Sequence, residues 1–315
     1  YLALDPKTHS ILLYVEAITE ARKFLSAARM ASRTKPVVVV KAGRSDAGAK
    51  AALSHTGALA GADAVYDAAF RRAGMLRVKT LDELFQAAGT LATGARVKGD
   101  RLAILTNGGG VGVLAVDELA DMHGRLAELS EDALARLNHL LPPAWSHANP
   151  VDILGDAPGA LYAGALETLM NEKEADAILV MHCPTAVTDS LDAAQAVVDT
   201  LGSQRTAVLT CWLGEGAPAK ARHLFAAHNM PSYETPEQAI RAFGHLFSYW
   251  RNQQSLRETP PPLSNNLHVD KSRADAVIDR VLEDGRSALT EPEAVAVLSA
   301  YGIPTVSAIT MHTPE

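Results

Sequence analysis

Two stretches of this sequence put residues capable of chemistry at spacings that chemistry uses. In "ILTNGGGVG", residues 104–112, three consecutive glycines follow an apolar run and precede a helical pattern. Glycines at such a junction let the backbone come close to an anion. The free amides of the helix's first turn then point at it, helped by the positive end of the helix dipole. Asn107, Gly108, Gly109, Gly110 and Val111 are therefore candidate phosphate-binding residues. The run lacks the Gly-Lys-Ser/Thr of a Walker loop and is not a clean G-x-G-x-x-G, so no nucleotide fold follows from it. A turn that only packs helix closely against strand is the competing reading.

The second stretch is "KAGRSDAGAKAALSHTGALAG", residues 41–61, which sets His55 among glycine and alanine. Such a segment reads as a loop that can move and approach a ligand closely. Ser54 and Thr56 offer hydroxyls, Gly57 adds freedom, and Arg44 offers a charge to a phosphate. No second His or Cys stands at metal-ligand spacing, so no metal is expected. No nucleophile elbow is present for a hydrolase triad. Histidine as nucleophile or acid/base remains, against the reading of an ordinary surface histidine. A nucleophilic imidazole needs an acceptor on its other nitrogen, and Glu16, at the end of "ILLYVE", is the candidate. Carboxyl ends of parallel strands face the ligand crevice in open α/β sheets; a plain helix-start glutamate is the alternative.

These residues need elements to hold them. The β-branched run "KPVVVVK" (35–41) predicts a buried parallel strand, with strands also at "SILLYVE" and "MLRVKT" and helices near 18–33, 61–74 and "LDELFQAAGTLAT". Val65, Ala68 and Ala69 mark the inward stripe of the 61–74 helix, which stops at Gly74. Alternating strands and helices predict a parallel sheet covered on both faces. After the joint "GARVKGDR" (94–101), a second block has strands at 101–106, "AILVMH" (177–182) and "TAVLTCW" (206–212), and a closing helix from Pro236 to Leu256. The Pro-rich "RETPPPLSNN" reads as a linker, and "LTEPEAVAVLSAYGIPTV" (289–306) as a helix-turn-strand piece. The expected organisation is α/β, with domains at 1–96 and 97–256, a linker at 257–270 and a further domain beginning at 271–315. An opening Tyr1 and a last element cut short suggest part of a longer protein.

Composition narrows the partners. Net charge is −7 with no long basic run, which argues against nucleic acid, and no apolar run reaches membrane-spanning length. Only Cys183 and Cys211 are present, both in strand-like runs, the usage of buried reduced thiols in the cytoplasm. Trp212 and Trp250 read as packing residues, and His182 and Cys183 as a strand terminus.

Read together, "ILLYVEAI", "KPVVVVKAGRS", "AALSHTGALAGADAVYDAAFRRAGMLRV" and "LTNGGGVGVLAVDEL" closely resemble the nucleoside-diphosphate-forming acyl-CoA synthetases of the succinyl-CoA synthetase superfamily. Their order is similar to that of the fused ADP-forming acetyl-CoA synthetase-like proteins. The resemblance implies two consecutive flavodoxin-like (succinyl-CoA synthetase-like) parallel-sheet domains plus the start of an ATP-grasp domain at "LTEPEAVAVLSAYGIP". It implies that His55 is phosphorylated and carries the phosphoryl group between two sites, that Glu16 hydrogen-bonds it, and that residues 107–110 with the following helix hold phosphate. "NPVD", Asn149 to Asp152, fits a family motif without an assigned role. Coenzyme A and ADP/ATP with Mg²⁺ would be bound mostly by domains outside this chain, with a carboxylic acid and phosphate as the other small-molecule substrates and a homo-oligomer as the assembly. "RNQQSLRETP" resembles, more weakly, relatives fused to a GNAT-type acetyltransferase. The alternative to an enzyme is thus a non-catalytic platform that senses acyl-CoA or nucleotide for such a domain, though those relatives lack the histidine.

Overall fold

The computed structural model describes residues 1–56, 62–202, 206–258 and 269–306, with residues 52–56 described by their helical backbone alone. It forms two compact units, Tyr1–Glu258 and Thr259–Glu315.

The first unit begins with β1 (Ile11–Val15), α1 (Ala21–Thr34), β2 (Val37–Lys41), α2 (Asp46–Thr56), α3 (Asp63–Arg72), β3 (Leu76–Val78) and α4 (Leu81–Ala92). The strands pair in parallel in the order β1-β2-β3, with Val15 beside Lys41 and Val40 beside Val78. Every residue of β2 is buried, as a Val-rich central parallel strand requires. The expectation of cover on both faces fails at β1. Tyr14 is 59% exposed and Leu12 is also open, because β1 is an edge strand among the described residues and only its Ile11–Leu13–Val15 face packs against helices.

The stripe expected on α3 is also corrected. Val65 and Ala68 face outward, while Tyr66 and Phe70 turn in toward Phe24 and Met75, since the larger rings bury more apolar area. Gly74 ends this helix at φ +77°, and its amide and that of Met75 close back on Arg71 and Phe70. The alanine-rich segment expected to be a mobile loop is helical backbone from Asp46 to Thr56, which alanine's helix preference favours.

The larger sheet follows: β4 (Arg101–Thr106), α5 (Gly109–Asp121), β5 (Arg125–Leu126), α6 (Glu131–Leu140), β6 (Val151–Asp152), α7 (Gly159–Met170), β7 (Ala177–His182), α8 (Ser190–Leu201), β8 (Val208–Trp212), α9 (Ala217–Ala227), β9 (Ser232–Tyr233) and α10 (Pro236–Arg257). Its strand order is β5-β4-β7-β8-β9, all parallel, with β6 pairing the end of β4 so that Thr106 lies beside Asp152. α10 starts at the Thr235 cap with Pro236 in its first turn.

α10 also ties the two sheets together. Its Asn252 donates to Met75 O at 2.7 Å and Gln253 donates to Gly74 O at 2.8 Å. A Cβ on Gly74 would sit 2.6 Å from Leu256, so the glycine serves both the turn and this packing. Thr90 of α4 meets the Tyr233 hydroxyl at 2.5 Å, buried. One apolar cluster consequently runs from Val38, Leu76 and Leu84 through Val97 to Ile104, Leu179 and Phe243.

The second unit holds α11 (Lys271–Glu283) and α12 (Glu291–Ala300). Thr290 and Glu293 form a capping box, and Arg286 together with that box holds the Glu293 carboxyl down at about 2. The strand expected after α12 is not formed through Val306: Tyr301 and Gly302 turn, the Ile303 amide closes back on Leu298 O, and Thr305 meets the Ser299 hydroxyl at 2.8 Å.

Candidate functional site

At the carboxyl end of β4 the chain turns through Asn107 and Gly108 into α5. The Gly108 amide donates to Thr106 Oγ1 at 3.0 Å, and the first helical bond runs from Gly112 N to Gly108 O at 3.2 Å. The amides of Gly109, Gly110 and Val111 precede that bond, so they have no acceptor within the helix. Gly109 and Gly110 are exposed at this positive helix end.

The three glycines differ in what demands them. A Cβ on Gly108 would lie 2.7 Å from Cys183 Sγ, and one on Gly109 would lie 2.8 Å from Asp152 Oδ2. Close packing therefore accounts for the first two. Nothing lies within 4 Å of a Cβ on Gly110, which leaves open space beside the first-turn amides.

The Asn107 side chain does something other than face an anion. Its Oδ1 accepts from Cys183 N at 2.7 Å and its Nδ2 donates to Cys183 O at 2.9 Å, which locks the ends of β4 and β7 together. Only its backbone remains for a ligand. Sequence reading also left "NPVD" without a role. Asn149 bonds Ile104 N, Leu102 O and Ala127 O, replacing missing strand pairing beside β4, and Asp152 stands against Gly109 with its other oxygen on Leu154 N. Apart from the bond to Leu154, these contacts span tens of residues and have no local signature.

Below this turn lies a buried polar group. The His182 ring stacks on Trp212 at 5.4 Å, with Tyr162 OH at 3.0 Å from Nδ1 and Ser190 Oγ at 3.0 Å from Nε2. Burial depresses His182 to about 4, so it is neutral at pH 7. Burial raises the Cys183 thiol, and the Asp152 charge adds to that effect. Both cysteines are free, Cys211 buried and Cys183 half-buried.

At the carboxyl end of the smaller sheet, Glu16 follows β1 directly and is half-buried. Its neighbour at the end of β2 is Lys41, which sequence reading passed over. Lys41 is 3% exposed, its amine donates to Ala42 O, and it sits 4.6 Å over the Tyr66 ring. Burial lowers its pKa, opposed by the charges of Asp63 and Glu16. Arg44 is exposed and lines a small recess of about 210 Å³ with Asp63, Asp67 and Arg77. The backbones of Ser54, His55 and Thr56 belong to the last turn of α2; their side chains, and Gly57 entirely, lie outside the described residues. Among the described residues no cluster of three or more His, Cys, Asp or Glu could hold a metal ion, and no helix is long and apolar enough to cross a membrane.

Residues 1–91 match a succinyl-CoA ligase like flavodoxin domain, and residues 102–256 match a Ligase-CoA domain. The ADP-forming acetate–CoA ligase I of Archaeoglobus fulgidus is 37% identical, over 96% of this chain and 42% of its own length. The alpha subunit of the ADP-forming acetate–CoA ligase I of Pyrococcus furiosus is 40% identical, over 78% of this chain and 53% of its own. The solved structure of Ca. Korarchaeum cryptofilum dinucleotide forming acetyl-coenzyme A synthetase 1, in complex with phosphate and ADP, superposes with a TM-score of 0.75 at 34% identity, covering 83% of this chain and 57% of that one. The chain spans about half the length of the curated relatives it matches.

Proposed function

The chain belongs to the succinyl-CoA ligase-like family, two of whose domains match most of its length, and from that premise we propose that it is the phosphoryl-relay part of an ADP-forming acyl-CoA synthetase. The relatives named as ADP-forming CoA ligases support this reading. The observation that carries it is the first turn of α5, where three amides lack helical acceptors, Gly109 and Gly110 are exposed, and nothing lies within 4 Å of a Cβ on Gly110.

In this reaction, phosphate attacks the carbonyl of an acyl-CoA and the thioester C–S bond breaks, releasing coenzyme A and leaving an acyl phosphate. A neutral His55 nitrogen then attacks phosphorus. The P–O bond to the acyl group breaks, the free acid leaves, and a phosphoramidate forms. Glu16, at the carboxyl end of β1, accepts the hydrogen bond of the other ring nitrogen and stabilises the positive charge that develops there. The amides of Gly109, Gly110 and Val111 hold the phosphate oxygens, since phosphoryl transfer depends mostly on positioning and charge stabilisation. Ser54, Thr56 and Gly57 support the histidine, and Arg44 supplies a further cation. The phosphoryl group finally passes to ADP with its Mg²⁺, on an ATP-grasp domain that begins within residues 271–315. Functional boundaries at 96, at 257 and at 271, a cytoplasmic location and a homo-oligomeric assembly complete the proposal.

The test uses the full-length protein with phosphorus-labelled ATP and Mg²⁺. Acid-labile label is expected on the intact protein and absent from His55→Ala. An intact protein that takes up no label sinks the relay.

A further inference from the structure

A second concavity opens at the opposite, amino-terminal edge of the strands. The end of α1, Pro36 ahead of β2, the segment 94–98 ahead of β4 and one side of α10 enclose a cleft of about 440 Å³. That volume falls within the range of small-molecule sites, about 300–1,000 Å³.

The charges around it have one sign. Arg33, Lys35, Arg96, Lys98 and Arg257 contribute to the wall, and among the described residues that line it there is no aspartate or glutamate. This happens in a chain whose net charge is −7. The Lys35 amine is engaged by the carbonyls of Leu2 and Asp5. The other four have no ion pair or side-chain hydrogen bond to any described residue, although ion pairs are frequent elsewhere on this surface. Like charges gathered in a concave, partly desolvated space repel one another and raise the local concentration of anions.

Two further features make the cleft more than a basic patch. Tyr249 and Trp250 supply aromatic surface to the wall, and both are only partly covered, whereas Trp145 and Trp212 are fully buried. Burial pushes the Tyr249 phenol up, and the nearby positive charges of Arg257 and Arg96 oppose that push. Guanidinium planes and aromatic rings stack well on a flat heterocycle. Ser32, in the same wall, is buried, and its Oγ has no hydrogen-bond partner.

We propose that this cleft binds a nucleoside polyphosphate, with Arg33, Arg96, Lys98 and Arg257 on the phosphates and Tyr249 and Trp250 against the base. It lies at the other end of the strands from Glu16 and Gly108–Gly110, and it depends on neither His55 nor the relay. The nucleotide it takes is therefore separate from any that exchanges phosphoryl groups with the protein.

The full-length protein is photolabelled with 2-azido-ATP, and the modified peptides are mapped by mass spectrometry. Label is expected on the peptide that carries Tyr249 and Trp250. The double variant Arg96→Glu/Lys98→Glu, both exposed and free of structural bonds, should reduce that label about tenfold or more, with unchanged unfolding and unchanged labelling elsewhere. Excess ATP should protect better than excess tripolyphosphate. Absence of label on that peptide at saturation overturns the site, as does label that survives the double variant. Equal protection by tripolyphosphate overturns the nucleotide assignment, because the rings would then contribute nothing.

Discussion

The turns that leave β4 and β2 look alike in sequence, each a buried strand followed by small residues and a helix, but they are built differently. After β4, polar side chains are engaged by backbone: Asn107 holds both the amide and carbonyl of Cys183, and Thr106 holds Gly108. After β2, the buried polar group is the Lys41 amine, which donates to its own neighbour's carbonyl and lies over a ring. The first arrangement fixes a backbone cradle. The second places a desolvated charge beside Glu16 and ahead of the helix whose last turn contains His55. Polar side chains brace the backbone of a neighbouring strand at one turn; at the other the buried amine stays with its own neighbour's carbonyl and a ring.

That contrast can be broken by substitution. Asn107→Ala leaves the Cys183 amide and carbonyl without partners, and should cost about 2–4 kcal/mol in urea-induced unfolding. Gly108→Ala drives a Cβ into Cys183 Sγ and should cost about 1–3 kcal/mol. Gly110→Ala meets nothing and should leave the unfolding midpoint unchanged or slightly raised. Equal losses for the two glycines would remove the packing explanation for Gly108.

The pH dependence gives a further measure. His182 is depressed to about 4 by burial, below its unfolded value of 6.5, so between these values the unfolded chain binds the extra proton. Its contribution is fully present above pH 6.5 and is lost as pH falls toward 4, with a limiting slope of about 1.4 kcal/mol per pH unit. Urea unfolding across that window should show a shallower slope in His182→Gln. An identical slope would mean that His182 does not titrate there. A small effect is also expected at Lys41→Met, where a buried charge gives way to an apolar chain of similar length. Its stability should change by less than about 1 kcal/mol. A loss as large as that of Asn107→Ala would erase the distinction between the two turns.

Much of the scaffold was legible because its signals are local. "VVVV" and "AILVMH" announce buried parallel strands, and Gly74 announces a helix end. The glycine run was legible as a strand-to-helix turn, but its three glycines were not distinguishable, because Cys183 and Asp152 approach from 75 and 43 residues away along the chain. The inward face of α3 was misread because small residues at helical spacing do not outweigh Tyr66 and Phe70, whose rings claim the core. Of the candidate site, the positions of Glu16 and of Gly108–Gly110 were readable from strand ends, whereas the role of Asn107 and the presence of buried Lys41 were not.

The sequence by itself determined the alternation of strands and helices, their approximate limits and the family to which the chain belongs. Hydrophobic period, turn chemistry and motif order all act over a few residues. Only the tertiary structure decided that α10 joins the two sheets, that Asn107 and Asn149 are braces, and that residues near 33, 96 and 257 meet around one cleft. Those outcomes depend on which distant side chains share a space, and burial and unlike hydrogen-bonding needs settle that only when the chain has closed on itself.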